Sequence, residues 1–568
     1  MKELLKPMIN KIPYILLIIT FLIIEVYCDL TLPTYTADIV NKGIQNTNFN
    51  IIYNTGLIML EMVAISVIAT IIVAYFSSKV SSSYAKDLRE KIFKKVLKFS
   101  NHELNKISRS SLITRTTNDV NQIQSMIGMM FRTLLFAPIM GIGGIIRAYQ
   151  LGTDLFWIII LIFIAVAILL ATIMIRVIPS FKKTQEIIDN MNRNAREILM
   201  GMPVIKAFVR QKHEEKKFQK VNQDFKDINL YVYRTILMLL PAMTLILNIM
   251  VILILYFGAF DALDGSILTG EIVAFIQYAT QIVSAFLMMG GFLAMLPRVL
   301  VSVRRINEVL DTKLTITDGT TTQLNQNNTI EFKNVSYKYP ESEKETLKNI
   351  NFKLEPNKTT AIIGSIGSGK STILNLIPRL QDVTQGEILL NGENIKNINL
   401  KTLREKISFT PQKALLFSGT IKSNIQKGKT NATDTEIYDA LEKAQVDFIE
   451  NLEDKVAQGG SNFSGGQKQR LSIARAIIGN HNFYLFDDCF SALDMKTEAK
   501  LKKQLKKLKE NSSILLVSQR ISTIKDADEI LILENGEIEN RGTHNELLKT
   551  SKIYQEIVNT QADNVEGI

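Results

Sequence analysis

Apolar residues fill the first 300 positions in long runs, then give way to short alternating segments. A helix that crosses a bilayer needs about 20 mostly apolar residues. Six runs meet that need: 12–33, 52–76, 131–151, 155–178, 236–257 and 272–296, with the break Gly152-Thr153-Asp154 parting the third from the fourth. Beyond residue 328 the strand-length apolar segments predict a soluble α/β unit. A polar stretch, 315–328, lies between. The pattern therefore predicts a membrane domain over 1–311, a linker over 312–329 and an α/β domain over 330–568. The first run is too long for a signal-peptide core and has no small-residue cleavage site, so it is expected to remain as a span.

The polar connections carry as much information as the spans. Nine Lys and Arg fall within 79–109 and eleven within 182–226, whereas 259–270 has only Asp261 and Asp264 as charged residues before Glu271. The positive-inside bias places both long loops and both termini in the cytoplasm, making a multi-pass protein of the cytoplasmic membrane. Both loops are rich in helix formers, with only Pro203 as an interruption, so helices are expected to project beyond the bilayer. Amphipathic segments lying on the membrane surface are the alternative.

Composition sharpens this picture. With 568 residues, 46% of them hydrophobic and 21% charged, a disordered chain and a small secreted scaffold are excluded. The net charge of +11 fits basic cytoplasmic loops, and no nucleic-acid partner is expected. Two cysteines, Cys28 and Cys489, build no disulfide framework.

Charged residues also sit within spans: Glu25, Asp29, Glu61 and Arg147. Such charges usually face a bundle interior or a wet cavity. Glu25 and Asp29 are four apart and share a helix face. They either line a cavity, meeting Arg147 or a cationic substrate, or Asp29 and Arg147 snorkel to the outer interface. Met243, Met250, Met288, Met289 and Met295 suit an adaptable apolar cavity or plain core packing.

In the second half, a strand-like TAII precedes GSIGSGKST at 364–372, and a helical pattern follows. That is a phosphate-binding loop in its strand–loop–helix setting. Gly364, Gly367 and Gly369 let backbone N–H groups, with Ser365 and Ser368 between them, curl around phosphate oxygens. Lys370 reaches the β- and γ-phosphates, the Ser371 hydroxyl ligates Mg²⁺, Thr372 completes the nucleotide-binding run, and the helix start that follows adds its positive dipole end. The apolar strand 482–488 ends in Asp487, which is delivered to the Mg²⁺ shell. Between them, NFSGGQKQRLSIARA is either a second phosphate-binding helix start or a simple capped amphipathic helix.

Together these features resemble a half-transporter of the ATP-binding-cassette (ABC) exporter superfamily over nearly the whole chain. The resemblance implies an all-α membrane domain of six helices of the exporter type, then an α/β P-loop nucleotide-binding domain with an α-helical subdomain. It implies ATP and Mg²⁺ as ligands. Tyr339 in VSYKYP matches the aromatic that stacks on adenine, and Gln412 in FTPQ the residue that joins the Mg²⁺ site to the coupling helices. Ser464, Gly465, Gly466 and Gln467 match the signature, preceded by Phe463 in place of leucine. Asp494 in SALD matches an acid that crosses a dimer interface. Coupling segments are expected at 112–119 and 201–210. Cassettes of this family dimerise head to tail, so a second half-transporter is an implied partner, beside lipid and an amphiphilic drug, lipid or peptide substrate. With the first span starting by residue 12, a leader-cleaving peptidase domain is not expected.

Three positions depart from the family pattern. Asp488 stands where a glutamate orients the attacking water, Gln519 in VSQR replaces the switch histidine, and Gln458 replaces a common glutamate. Aspartate is one methylene shorter, and a misplacement of about 1 Å costs on the order of 10²-fold in rate. Gln519 can hydrogen-bond a phosphate but cannot become cationic. The site on this chain's phosphate loop is thus expected to bind ATP and hydrolyse it poorly, as in the degenerate-site subunit of heterodimeric bacterial exporters. A slowly hydrolysing homodimer is the alternative.

Overall fold

The computed structural model describes residues 8–566, apart from 152–154, 326 and 341. The Gly152-Thr153-Asp154 break lies outside the described residues. The chain divides into two compact units, one formed by Met1–Val96 and Ser110–Asp311, the other by Leu97–Arg109 and Thr312–Ile568.

The first unit is helical throughout. Helix α1 (Ile12–Asp38) has a proline in its first turn, where no N–H is needed. It continues through a π-helical turn, Ile39–Ile44. Helix α2 (Phe49–Val96) runs 48 residues, about 72 Å at 1.5 Å per residue, far beyond the roughly 30 Å hydrocarbon layer. After α3 (Asn101–Ile107), which groups with the second unit, helix α4 (Arg109–Thr114), a π turn at Arg115–Asp119, α5 (Val120–Met129), a second π turn at Met130–Leu134 and α6 (Phe136–Gln150) make one long segment. Helix α7 (Phe156–Met200) is 45 residues long and is followed by the short α8 (Met202–Ala207). Next come α9 (Gln211–Leu237), α10 (Leu239–Leu263) and α11 (Thr269–Asp311). Six of these stretches are long and apolar enough to cross a membrane.

The polar loops are thus helical continuations of the spans. The third span begins well before residue 131, because Ile123, Ile127 and Phe131 keep a buried stripe going through a sequence of mixed polarity. A buried polar cluster fixes its start to the end of α11. Ser302 donates to Asp119 at 2.9 Å, and Arg115 reaches the Arg305 carbonyl at 2.7 Å and Glu308 at 2.8 Å. Residues 112–119, expected as a coupling segment, group with the first unit, as 201–210 do, whereas Leu97–Arg109 groups with the second.

Among the described residues, the second unit holds twelve short strands. They are β1 (Ile330–Tyr337), β2 (Leu347–Leu354), β3 (Thr359–Ile363), β4 (Gln385–Leu390), β5 (Glu393–Asn394), β6 (Ile407–Thr410), β7 (Gly419–Thr420), β8 (Lys455–Val456), β9 (Phe483–Asp487), β10 (Ser513–Val517), β11 (Glu529–Glu534) and β12 (Glu537–Gly542). One sheet has the order β12-β11-β3-β10-β9-β6, parallel except at the β12 edge. An antiparallel sheet, β2-β1-β4-β5, packs beside it. The central strands are apolar on both faces, as a sheet covered on both sides requires. Phe483 and Phe486 are at most 1% exposed, and each such burial is worth roughly 1.5–3 kcal/mol. In this α/β sheet β3 and β9 are separated only by β10, so the loop after β3 and the acidic end of β9 emerge at the same carboxyl edge.

Candidate functional site

The loop after β3 turns on glycines that no other residue replaces. A Cβ at Gly364 would lie 1.9 Å from the Leu533 carbonyl oxygen, and Gly369 has φ +105° at the entry to helix Lys370–Leu376. The loop, β9 and the ends of neighbouring strands enclose a cavity of about 340 Å³. Tyr339, Gly367, Gly369, Lys370, Ser371, Thr372, Gln412, Asp487, Asp488 and Gln519 line it, with Thr346, Ile366 and Val517. Every sequence-predicted residue of the phosphate and Mg²⁺ chemistry therefore lines this cavity or its loop.

Within it, the Lys370 ammonium is folded onto its own loop, donating to the Gly364 carbonyl at 2.9 Å and the Ser365 carbonyl at 2.6 Å. Those are bonds an incoming phosphate would exchange for charge-assisted ones. The Ser371 hydroxyl donates to Asp487 Oδ1 at 3.0 Å. The Gln412 amide donates to Asp488 Oδ2 at 3.4 Å, and the Tyr339 and Thr372 hydroxyls are 3.2 Å apart. Burial pushes the Asp487 and Asp488 carboxyls above the usual carboxylate range and the Lys370 ammonium below its own. Two under-solvated carboxylates beside a hydroxyl are hard oxygen donors that gain from a small divalent cation, so the residues present fit Mg²⁺. Ser371, Asp487 and Gln412 would hold it, and the ion would screen the phosphate charge.

Asp488 is constrained more tightly than its sequence suggests. Its backbone takes φ +45°, and its N–H donates to the Val517 carbonyl at 2.9 Å. The neighbouring loop is clamped from the far C-terminus: Gln561 donates to the Gln519 carbonyl at 2.7 Å and accepts from Ile521 N–H at 2.9 Å. Glu534 accepts from the Ser365 hydroxyl at 2.9 Å. Neither Gln561 nor Glu534 is singled out by the sequence, since their partners lie 42 and 169 residues away.

The remaining predicted residues lie elsewhere. Ser464 caps the helix Gly465–Ile477, its N–H donating to Gln467 Oε1 at 2.9 Å while Gln467 N–H donates to Ser464 Oγ at 3.3 Å. Gly466 is required there because a Cβ would meet the Ala492 carbonyl at 2.9 Å. Asp494 caps the helix Met495–Leu508 by accepting from Thr497 N–H at 2.9 Å. These caps do not line the phosphate-loop cavity of their own chain. Gln458 is exposed in a short turn ahead of the signature.

In the membrane unit, Glu25 and Asp29 turn together toward α2. Glu25 accepts from Thr70 at 2.8 Å and Asp29 from Ser66 at 2.8 Å. Arg147 is directed at the Tyr27 ring, 5.9 Å from its centroid, instead of at the acids. Glu61 is exposed. The methionines divide: Met243 and Met250 are core, whereas Met289 lines an apolar cavity of about 190 Å³ with Ala137, Phe163 and Phe286.

A phosphate-loop ATPase domain joined to six membrane-spanning helices is the architecture of an ATP-driven translocase. Residues 15–286 match the ABC transporter transmembrane region and residues 347–491 the ABC transporter family. The chain is 36% identical to the uncharacterized ABC transporter ATP-binding protein YfiB of Bacillus subtilis, with 97% of each covered. It is 29% identical to the ATP-dependent lipid A-core flippase 1 of Colwellia psychrerythraea, over 91% of this chain and 89% of that one. Its fold matches a bacterial Atm1-family ABC exporter with ATP bound, with a TM-score of 0.82, 23% identity, and 97% and 98% of the two chains covered. The chain belongs to the ABC transporter family and is a multi-pass, exporter-type protein that couples an ATPase to translocation. Proteins of this fold work as dimers in the membrane.

Proposed function

We propose that this chain is one half of a heterodimeric exporter and supplies its degenerate nucleotide site. One observation carries the reading: Asp488 and Gln519 occupy the same cavity as Lys370, Ser371 and Asp487, where a glutamate and a histidine would do the hydrolytic work. The phosphate loop and the Mg²⁺ donors are complete, so this site holds Mg²⁺–ATP. The shorter carboxylate leaves the attacking water poorly aimed. The signature Ser464–Gln467 is a well-formed, capped helix start that does not line the phosphate-loop cavity of its own chain. It serves a partner's phosphate loop, and Asp494 faces the same junction.

ATP closure and hydrolysis drive alternation of the membrane helices, which export an amphiphilic drug, lipid or peptide. The kinship to a lipid flippase favours a substrate with an apolar body, in keeping with the Met289 cavity. Charge bias puts the cassette and both termini in the cytoplasm. The exposed apolar residues Val204, Phe208 and Val209 at 201–210 form a coupling segment for a partner surface.

The test is the ATPase rate of the purified chain alone against the chain co-purified with a half-transporter that has the glutamate and histidine. Negligible turnover alone and robust turnover together support the assignment. Robust turnover of the lone chain, abolished by Asp488→Asn, would instead establish a homodimer.

A further inference from the structure

Glu103 is a buried acid that takes no part in the nucleotide chemistry. It is 2% exposed and sits at the third position of α3, within the segment Leu97–Arg109 that packs with the cassette. One carboxylate oxygen closes a capping box on its own helix, accepting from Ser100 N–H at 2.6 Å and from the Ser100 hydroxyl. The other accepts from Thr315 N–H at 2.7 Å, 212 residues away in the linker that follows α11. The Ser100 and Thr315 hydroxyls are 3.0 Å apart. A glutamine at this position would serve the capping box equally well. What the second carboxylate oxygen adds is a grip on the linker, and the three bonds to the ionised group are of the strong, charge-assisted kind. Burial alone pushes this carboxyl up, but the bonds from Ser100 and Thr315 outweigh that and leave its pKa at about 2, so the grip stays charged at any physiological pH.

The exit from α3 is strained as well. Ser108 takes φ +64°, a conformation that L-residues hold only when their surroundings impose it. The segment from Leu97 to Arg109 therefore joins α2 to α4 as a set piece, not as a loose connection.

We propose that Glu103 is a positioning residue for energy coupling. By clasping the linker to α3, it makes the short helix and the entry to the cassette one lever, so nucleotide-driven movement of the cassette is delivered to α2 and α4. The inference does not depend on which nucleotide pocket hydrolyses.

Glu103→Gln separates the two roles of the carboxylate. The cap survives, while the amide NH₂ meets Thr315 N–H donor to donor. Thr315→Pro removes the same bond from the other side. The full-length chain, in its native dimer in phospholipid nanodiscs, is examined by hydrogen-exchange mass spectrometry with and without Mg²⁺ and a non-hydrolysable ATP analogue. The reporters are 364–372 for nucleotide binding, and 39–48 with 264–270 for the far end of the membrane helices. There Gln45 bonds to Thr269 at 3.0 Å and Gly270 N–H to Asn41 at 2.7 Å. In the parent, nucleotide protects 364–372 and alters exchange at the far end. Glu103→Gln is expected to keep the first within about twofold and to reduce the second at least about fivefold, with Thr315→Pro doing the same and the double variant no worse. A far-end response equal to the parent's in Glu103→Gln overturns the proposal. So does loss of protection at 364–372 in both variants, which would make the clasp merely structural.

Discussion

At the scale of single residues, the proposal rests on two side chains separating binding from turnover. Asp488 falls one methylene short, and Gln519 cannot carry the proton that a histidine would. Restoring both, as Asp488→Glu with Gln519→His, should raise the ATPase rate at this site by about 10–100-fold, measured as steady-state phosphate release. Gly364→Ala should act in the opposite sense. Its methyl would enter the space of the Leu533 carbonyl, 1.9 Å away, so the phosphate loop must shift. ATP should then give no thermal stabilisation of the variant, whereas it stabilises the parent by linkage. The phosphate loop was legible because its chemistry is written within nine consecutive residues, 364–372. Glu534 and Gln561 were not, because each meets its partner only after the chain has folded.

At the scale of elements, hydrophobic runs located the spans, but not where their helices begin and end. The 48 residues of α2 continue without a break through Lys86, Arg89 and Lys95, since good helix formers need no apolar environment once the helix is nucleated. The three π turns left no mark in the pattern, which reads the same for a π turn as for an α turn. Nor did the clasp at Glu103, whose sequence signal was only that of a capping box. Its ionisation has a measurable signature. A carboxyl held at about 2 in the folded state, against 4.5 as its ordinary value, contributes stability that is present above pH about 4.5 and lost as pH falls toward 2. The Tm advantage of the parent over Glu103→Gln should therefore be largest near neutral pH and shrink steadily as the pH is lowered below about 4.5, read by thermal unfolding in detergent. An advantage that grows in acid would place the clasp's charge elsewhere.

At the scale of the whole molecule, the proposal gives the chain one nucleotide site without an effective base and a signature that serves another. The signature helix start is capped and lies outside its own phosphate-loop cavity, which is what the proposal of a ligand supplied by a second subunit rests on. The need for a partner was readable from the motifs together with the single set of six spans. Its identity was not, because nothing in this chain encodes the partner's base and switch residue.

The most direct measurement is the ATPase rate of the assembled transporter carrying one substitution at a time in this chain. Asp488→Asn should leave turnover within about twofold of the parent, while Ser464→Arg, in the signature, should lower it about 100-fold or more. Abolition of turnover by Asp488→Asn would contradict an asymmetric pair of sites.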